Sequence, residues 1–237
     1  MIRLNKFLAT KVNIVSRRKA DEMIAAGKVW VNGQQASLGQ QINEGEDEIR
    51  VDGRVIGSPQ NQTKIAIAIY KPRGVISSAV DEDGRKTVTE LVDIDTRLYP
   101  VGRLDKDSEG LMILTNDVDL ALKLTHPRYQ VAKTYRVLVR GRVKPEELRK
   151  WQDGGKIDGE QYGPVNIKLI DTDDSGTELD VVLREGKKRE IREIMGSMHL
   201  WVVRLCRIKI GNLEIGDLKP GEWRRLAEKE VQNLRGD

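Results

Sequence analysis

The sequence predicts an α+β fold in two parts: a small N-terminal unit of two helices and a hairpin, then a larger unit on a mixed, mostly antiparallel sheet with flanking helices. Three observations predict it. Beyond residue 64, strand-like and helix-like segments mix irregularly, without the β-α-β rhythm of a doubly wound parallel sheet. Near the N-terminus, two helical patterns precede an Asn32-Gly33 turn between short strand runs, a hairpin signal. Between the two parts, Ser58-Pro59-Gln60-Asn61-Gln62-Thr63 has the composition of a linker. The 237 residues suit two domains, one of them small, with limits expected at 1–57 and 64–237.

Each element has its own signal. Leu4, Phe7, Leu8 and Val12 recur at three- and four-residue spacing, the apolar face of one helix. Ser16 is placed to cap the start of a second, with Ala20, Met23 and Ile24 inward and Gly27 just past its end. Lys19 stands where a capping box needs Glu, so no box is expected. In the larger part, 65–70 is a strand running into Lys71-Pro72-Arg73-Gly74, 111–115 is another strand and 118–124 a short helix. Residues 134–139 alternate as a half-buried strand, and Pro145 opens a helix reaching Trp151. Strands are expected at 165–170 and 178–183, a helix at 187–195 and a last strand at 201–210.

Net charge is only +4, yet the basic residues are segregated. Residues 1–28 carry seven basic and two acidic residues, 29–57 two basic and five acidic, and 184–209 eight basic and three acidic. Two separated basic patches point to a polyanion, most simply nucleic acid; two solvated helix faces are the plainer alternative. Composition also excludes classes. No run approaches the ~18 apolar residues of a membrane span. Residues 1–6 hold no apolar core of a secretory signal, so a cytoplasmic protein is expected. A single cysteine, Cys206, and two histidines, His126 and His199, leave no disulfide framework and no thiolate zinc site. Asp81, Asp83, Gly84 and Glu90 fall on calcium-loop spacing, but the first ligand position would be Ala79. No glycine-rich nucleotide signature is present. Neither metal nor cofactor is expected.

The densest chemistry is Gly102-Arg103-Leu104-Asp105-Lys106-Asp107-Ser108-Glu109-Gly110, followed by Leu111-Met112-Ile113-Leu114-Thr115-Asn116-Asp117. A charged loop with a glycine at each end feeds an apolar strand. Asp105, between Arg103 and Lys106, has neighbours that hold a carboxylate ionised for work as nucleophile or base. A solvated turn with surface ion pairs accounts for the same residues, and composition alone favours it.

Resemblance tips this balance. Gly102-Arg103-Leu104-Asp105, Ser108, Gly110-Leu111 and Leu114-Thr115-Asn116-Asp117 resemble the catalytic motif of the RsuA/RluB/RluE/RluF group of ribosomal RNA pseudouridine synthases. Tyr70-Lys71-Pro72 with Gly74, Lys133-Thr134-Tyr135, and Glu185-Gly186-Lys187-Lys188-Arg189-Glu190-Ile191-Arg192 resemble its other motifs, in the same order. Glu190 stands where the family often has Gln, and Glu193 where it has a second basic residue. Separately, Arg3-Leu4-Asn5-Lys6, Ser16-Arg17-Arg18-Lys19-Ala20, Ile24, Gly27-Lys28-Val29 and Val31-Asn32-Gly33 resemble the small αL-type RNA-binding domain named after ribosomal protein S-four.

The resemblance implies an isomerase that turns a uridine of ribosomal RNA into pseudouridine, large subunit favoured over small. The bond from the sugar to a uracil nitrogen breaks, the base turns while bound, and a bond to carbon forms. Asp105 is then the catalytic carboxylate and Arg192 its partner, holding it charged. Tyr135 stacks on the target base, Arg103 holds the flipped nucleotide, and Leu205 floors the pocket. Arg3, Lys6, Arg17, Arg18, Lys19 and Lys28 contact RNA. Without the motifs, Arg192 reads as a surface arginine, Tyr135 and Leu205 as core residues, and Arg103 as half of a surface ion pair. The partner implied is ribosomal RNA or an assembling ribosomal subunit, met by a monomer away from any membrane. Two other classes compete. A non-catalytic assembly factor would be expected to lack Asp105; a glycoside hydrolase using Asp105 and Asp107 would need opposed acids and aromatic sugar platforms, and only 4% of the residues are aromatic.

Overall fold

Leu4, Phe7 and Leu8 turn inward from α1 (Leu4–Thr10), where Ala20 and Ile24 of α2 (Arg17–Ala25) meet them. The computed structural model describes residues 1–10, 15–44, 46–56, 63–81 and 83–236, in two compact units, Met1–Lys64 and Ile65–Asp237. Val12 and the expected linker positions 58–62 lie outside the described residues. Ser16 caps α2 as expected, its hydroxyl accepting the Lys19 N–H at 3.2 Å. Asn5 ties the helices together by donating to both oxygens of Asp21, at 2.9 and 3.0 Å. β1 (Ile2–Arg3) pairs with β4 (Gln41–Ile42), and the hairpin strands β2 (Val29–Val31) and β3 (Gln34–Gln35) flank Asn32 and Gly33. Both turn residues have positive φ, 50° and 78°, as the tight primed turn requires. β5 (Ile49–Val51) and β6 (Arg54–Ile56) complete a sheet in the order β3-β2-β5-β6. Val29, Val31, Ile49 and Val51 are buried in the same core as the helices.

The second unit is built on nine strands. β7 (Ala66–Lys71), β8 (Tyr99–Val101), β9 (Glu109–Thr115), β10 (Lys133–Val139), β13 (Asn166–Asp173), β14 (Gly176–Leu183), β15 (Val202–Ile210), β16 (Leu213–Glu214) and β17 (Trp223–Arg225) form it; β11 (Gly155–Ile157) and β12 (Glu160–Tyr162) make a separate hairpin. The main order is β13-β14-β10-β15-β9-β7-β17, antiparallel except where β15 meets β9. The sheet is mixed and mostly antiparallel. Helices α3 (Val118–Thr125), α4 (Pro145–Leu148), α5 (Glu190–Ser197) and α6 (Glu228–Arg235) flank it. Among the described residues, no helix is long and apolar enough to cross a membrane.

Two halves of this sheet bury their faces differently. In β7 and β9, Ala66, Ala68, Leu111 and Ile113 enter one core with α3 and α6. Their alternates Ile67, Ile69, Met112 and Leu114 enter another with Val75, Val88 and Leu98. Burial on both faces explains why these strands read as continuous apolar runs. The other half alternates: Val137, Val139, Leu179 and Val181 pack under α5, while Arg136 on the opposite face of β10 pairs with Asp180 at 2.9 Å. At the free edge, β13 carries a register shift between Leu169 and Asp171.

The ladder between β15 and β9 is two residue pairs long, Cys206 with Glu109 and Arg207 with Gly110, and the Arg207 Nε–H donates to the Leu111 carbonyl at 2.7 Å beside it. Gly110 has φ +108°, and a Cβ built there would lie 2.3 Å from the Arg207 carbonyl oxygen. The strands meet because this position has no side chain.

Boundaries differ from expectation in two helices. The helix expected over 187–195 begins at Glu190, because Arg189 is left-handed at φ 54° and the preceding residues form a turn. The helix expected from Pro145 to Trp151 tightens after Leu148 into a 3₁₀ turn, Arg149–Trp151. Helix α6 had no sequence-based expectation.

Gly110→Ala should cost roughly 2–4 kcal/mol, since both a backbone clash and a disfavoured φ must be relieved. Urea unfolding checks this; an unchanged midpoint would mean that the seam has slack.

Candidate active site

The loop between β8 and β9 carries Arg103 to Ser108, and the parallel seam sets it beside the middle of β15. Two segments brace it. Ser77 donates to the Leu104 carbonyl at 2.7 Å and accepts the Leu104 N–H at 3.0 Å, while the Gly74 N–H reaches the Lys106 carbonyl at 2.8 Å. Behind them, the fully buried Lys71 ammonium donates to the carbonyls of Pro72, at 3.0 Å, and Val75, at 2.7 Å. Burial pulls Lys71 down to about 8, against the pull of the Asp107 and Asp105 carboxylates. Tyr70, just before it, points its hydroxyl at Arg204, 3.2 Å, and at the Cys206 sulfur, 3.5 Å. Burial pushes the pKa of both the Tyr70 hydroxyl and the Cys206 thiol up, so neither is an activated nucleophile.

Asp105, Tyr135 and Leu205 line one cavity of about 430 Å³, together with Arg103, Leu104, Ser108, Leu183 and the segment Gly186–Ile191. Leu183 ends β14, Tyr135 stands on β10 and Leu205 on β15, so three adjacent strands, the loop before β9 and the turn leading into α5 supply the pocket. Tyr135 packs against both the α5 core and the β7–β9 core, which places its ring at the seam. Basic side chains Arg103, Lys187, Lys188 and Arg189 surround the cavity.

Arg192 does not occupy its expected place. It is absent from the cavity wall and pairs with Asp107, not Asp105, at 3.1 Å. Its guanidinium also donates to the Asp107 carbonyl at 3.5 Å and to the Val202 carbonyl at 3.4 Å. Burial pulls the pKa of its guanidinium down and the Asp107 carboxylate opposes that shift. Arg189 reaches the same Asp107 carboxylate at 3.6 Å. The expected pairing fails for a geometric reason: the turn closed by the Ser108 N–H on the Asp105 carbonyl, 3.1 Å, directs Asp107 toward α5 and leaves Asp105 on the cavity wall. Among the described residues, the Asp105 carboxylate makes neither an ion pair nor a side-chain hydrogen bond, so its oxygens are open to a ligand. The two acids of the loop are thus divided: one is neutralised by arginines, the other is available.

The comparisons decide the family. Residues 65–197 match the model of RNA pseudouridylate synthases, and residues 2–49 match that of the S4 domain. The chain belongs to the RNA pseudouridine synthase family. An uncharacterised RNA pseudouridine synthase of Aquifex aeolicus is 39% identical over 98% of this chain and 93% of its own length. The ribosomal large subunit pseudouridine synthase B of Bacillus subtilis is 38% identical over 99% of this chain and 96% of its own. A crystal structure of a pseudouridylate synthase superposes with TM-score 0.71 at 27% identity, covering 99% of this chain and all of that one. The synthase is an isomerase, and both sequence resemblances are borne out.

In the N-terminal unit of this pseudouridine synthase, Arg3, Lys6, Arg17, Arg18, Lys19 and Lys28 are all exposed. Lys19 leans on Glu22 at 2.8 Å and Lys28 on Asp52 at 3.9 Å. Sequence reasoning missed Asp107 and Ser77 as supports of the site and placed Gly74 in a motif without giving it that role. Asp107 falls between the residues that carry the resemblance and Ser77 in no motif at all, so their only signal is spatial.

A double-mutant cycle on Arg192→Ala and Asp107→Asn should show a coupling of about 0.5–1 kcal/mol in unfolding free energy, held down by the exposure of Asp107. Strictly additive effects would mean that the pair does not clamp the loop.

Proposed function

We propose that this chain converts one uridine of large-subunit ribosomal RNA to pseudouridine, with Asp105 as the catalytic carboxylate. The observation that carries the reading is the division between the two loop acids: among the described residues, Asp105 is on the cavity wall without an ion pair or side-chain hydrogen bond, and Asp107 is held by Arg189 and Arg192. The choice of substrate leans on the Bacillus subtilis relative, whose name assigns it to the large subunit. Small-subunit RNA is the outcome that would correct it.

In this reading the target nucleotide leaves its stack to enter the cavity, because its reacting atoms are otherwise covered. Tyr135 offers a ring face that binds the base without obstructing its rotation. Leu205 floors the pocket, Arg103 holds the nucleotide at the rim, and Arg192 is a positioning residue acting through Asp107. The isomerisation returns every atom to the same nucleotide, so the reaction consumes no second substrate. Residues 1–57 form the RNA-binding domain, 58–63 the linker and 64–237 the catalytic domain of a cytoplasmic, monomeric enzyme. Arg3, Lys6, Arg17, Arg18, Lys19 and Lys28 supply the phosphate contacts of the first domain.

Asp105→Asn should abolish turnover and leave RNA binding nearly intact, because amide and carboxylate are close in shape and only one is an anion. Pseudouridine mapping on ribosomal RNA from cells carrying each form reads both the activity and the modified subunit. Near-normal yield from the variant would remove Asp105 from its role.

Deleting residues 1–57 should weaken RNA binding far more than the chemical step. With roughly 4–5 phosphates neutralised by this domain, the slope of log affinity against log salt should fall by about 3–4 units. Binding titrations at several salt concentrations, with single-turnover rates at saturating RNA, separate the two effects. An unchanged slope with a dead site would refute the division of labour.

A further inference from the structure

Glu190 is only 3% exposed and begins α5 at the cavity wall. One oxygen, Oε2, accepts the Lys187 N–H at 2.9 Å; the other, Oε1, is buried with no hydrogen-bond partner. The carboxyl beside it is that of Glu185, itself fixed by the Gly163 N–H at 2.7 Å. Glu185 lines a second cleft of about 620 Å³, Glu190 lines the catalytic cavity, and Leu183 borders both. The two acids therefore meet in the partition between them. Two carboxylates cannot both stay charged there, whereas an acid and a carboxylate form a strong O–H···O⁻ bond.

We propose that Glu190 is a positioning residue: a proton held between its Oε1 and Glu185 locks the Gly186–Arg189 wall of the catalytic pocket. Glu185 and Glu190 flank this wall, so a proton shared between them closes it; the Lys187 N–H bond to Oε2 persists in either protonation state, and the Lys187 ammonium is anchored outside by Glu160 at 3.4 Å and over the Tyr162 ring at 4.8 Å. The groups facing Glu190 are Glu185 and Lys187 from its own connection, Lys133 from β10 and Tyr162 from β12. Burial, with Glu185 adding to it, pushes Glu190 up to about 7, although the Lys187 N–H and ammonium pull it down. The start of α5 also favours a charged carboxylate, but burial outweighs it. A raised carboxyl makes the folded state bind the proton more tightly than the unfolded chain. The lock is therefore complete at acidic pH and released as pH rises through about 7.

The test uses the full chain labelled with ¹³C at glutamate Cδ. The signal lost in Glu190→Gln should titrate near neutrality, and Glu185→Gln should lower its midpoint by a unit or more. Exchange of the Glu190 amide, whose N–H closes the turn of this wall on the Lys187 carbonyl at 3.4 Å, should speed several-fold between pH 6.5 and 8.5 in the natural chain, corrected for intrinsic rate, and stay flat in Glu190→Gln. On a large-subunit rRNA transcript, KM should rise over that range in the natural chain alone, while kcat moves less than twofold. A Glu190 signal titrating at about 4.3, as an ordinary glutamate does, overturns the proposal. So do amide-exchange profiles that coincide. The KM arm rests on the substrate reading: a transcript left unmodified at every pH would defeat that reading, with the titration and exchange still deciding the proton. If Glu190→Gln does not fold, the shift in Glu185→Gln decides the same question.

Discussion

Everything at the site depends on the close approach of two backbones at Gly110 and Arg207. Around this seam Leu111 and Met112 of β9 and Leu205, Cys206 and Arg207 of β15 are all buried, and the ladder between the strands is two residue pairs long. Because the contact is parallel and lies at the start of β9, the loop before β9 is delivered to the middle of β15. Asp105 comes from that loop, Leu205 from β15 and Tyr135 from the next strand over. A methyl group at residue 110 would push these contributors apart. The cavity is the space left where two halves of one sheet come together.

The loop is then held from both sides by unlike means. On the β7 side the supports are hydrogen bonds to backbone atoms: Ser77 on Leu104, Gly74 on Lys106, and the Lys71 ammonium shaping the turn that presents them. On the α5 side the support is ionic, with Asp107 between Arg189 and Arg192. Hydrogen bonds to backbone atoms fix position; the ion pairs consume the charge of the wrong carboxylate. Of the two loop acids, Asp105 is the one that remains on the cavity wall. Basic groups surround it without closing on it, an arrangement suited to holding an anionic strand around a reacting centre.

Much of this was legible in the residues, for identifiable reasons. Asn32-Gly33 demanded positive φ twice, and Ser16 offered a cap to Lys19, so both local predictions survived in the fold. The motif around Asp105 named the loop because chemistry constrains residue types there. The Arg192 partner was not legible: Asp105 and Asp107 are two residues apart, and only the turn closed at Ser108 decides which one faces α5. The start of α5 was misplaced because Lys187 and Lys188 are good helix formers, while the left-handed Arg189 is imposed by tertiary structure. Strands such as β16 and β17, two and three residues long, are below any periodic signal and exist only through the neighbours they pair with.

The two rims of the sheet have a consequence for life in a crowded solution. An open strand edge is a template for another chain, and a sheet with seven strands in its main order has two such edges. Here one rim is β13, where Lys168, Asp171 and Asp173 line the strand and a bulge breaks its regular ladder. The other is β17, three residues long and bearing Arg224 and Arg225. Neither offers a flat, apolar run onto which a misfolded neighbour could zip, so the architecture that builds the pocket also resists growing into a cross-β aggregate.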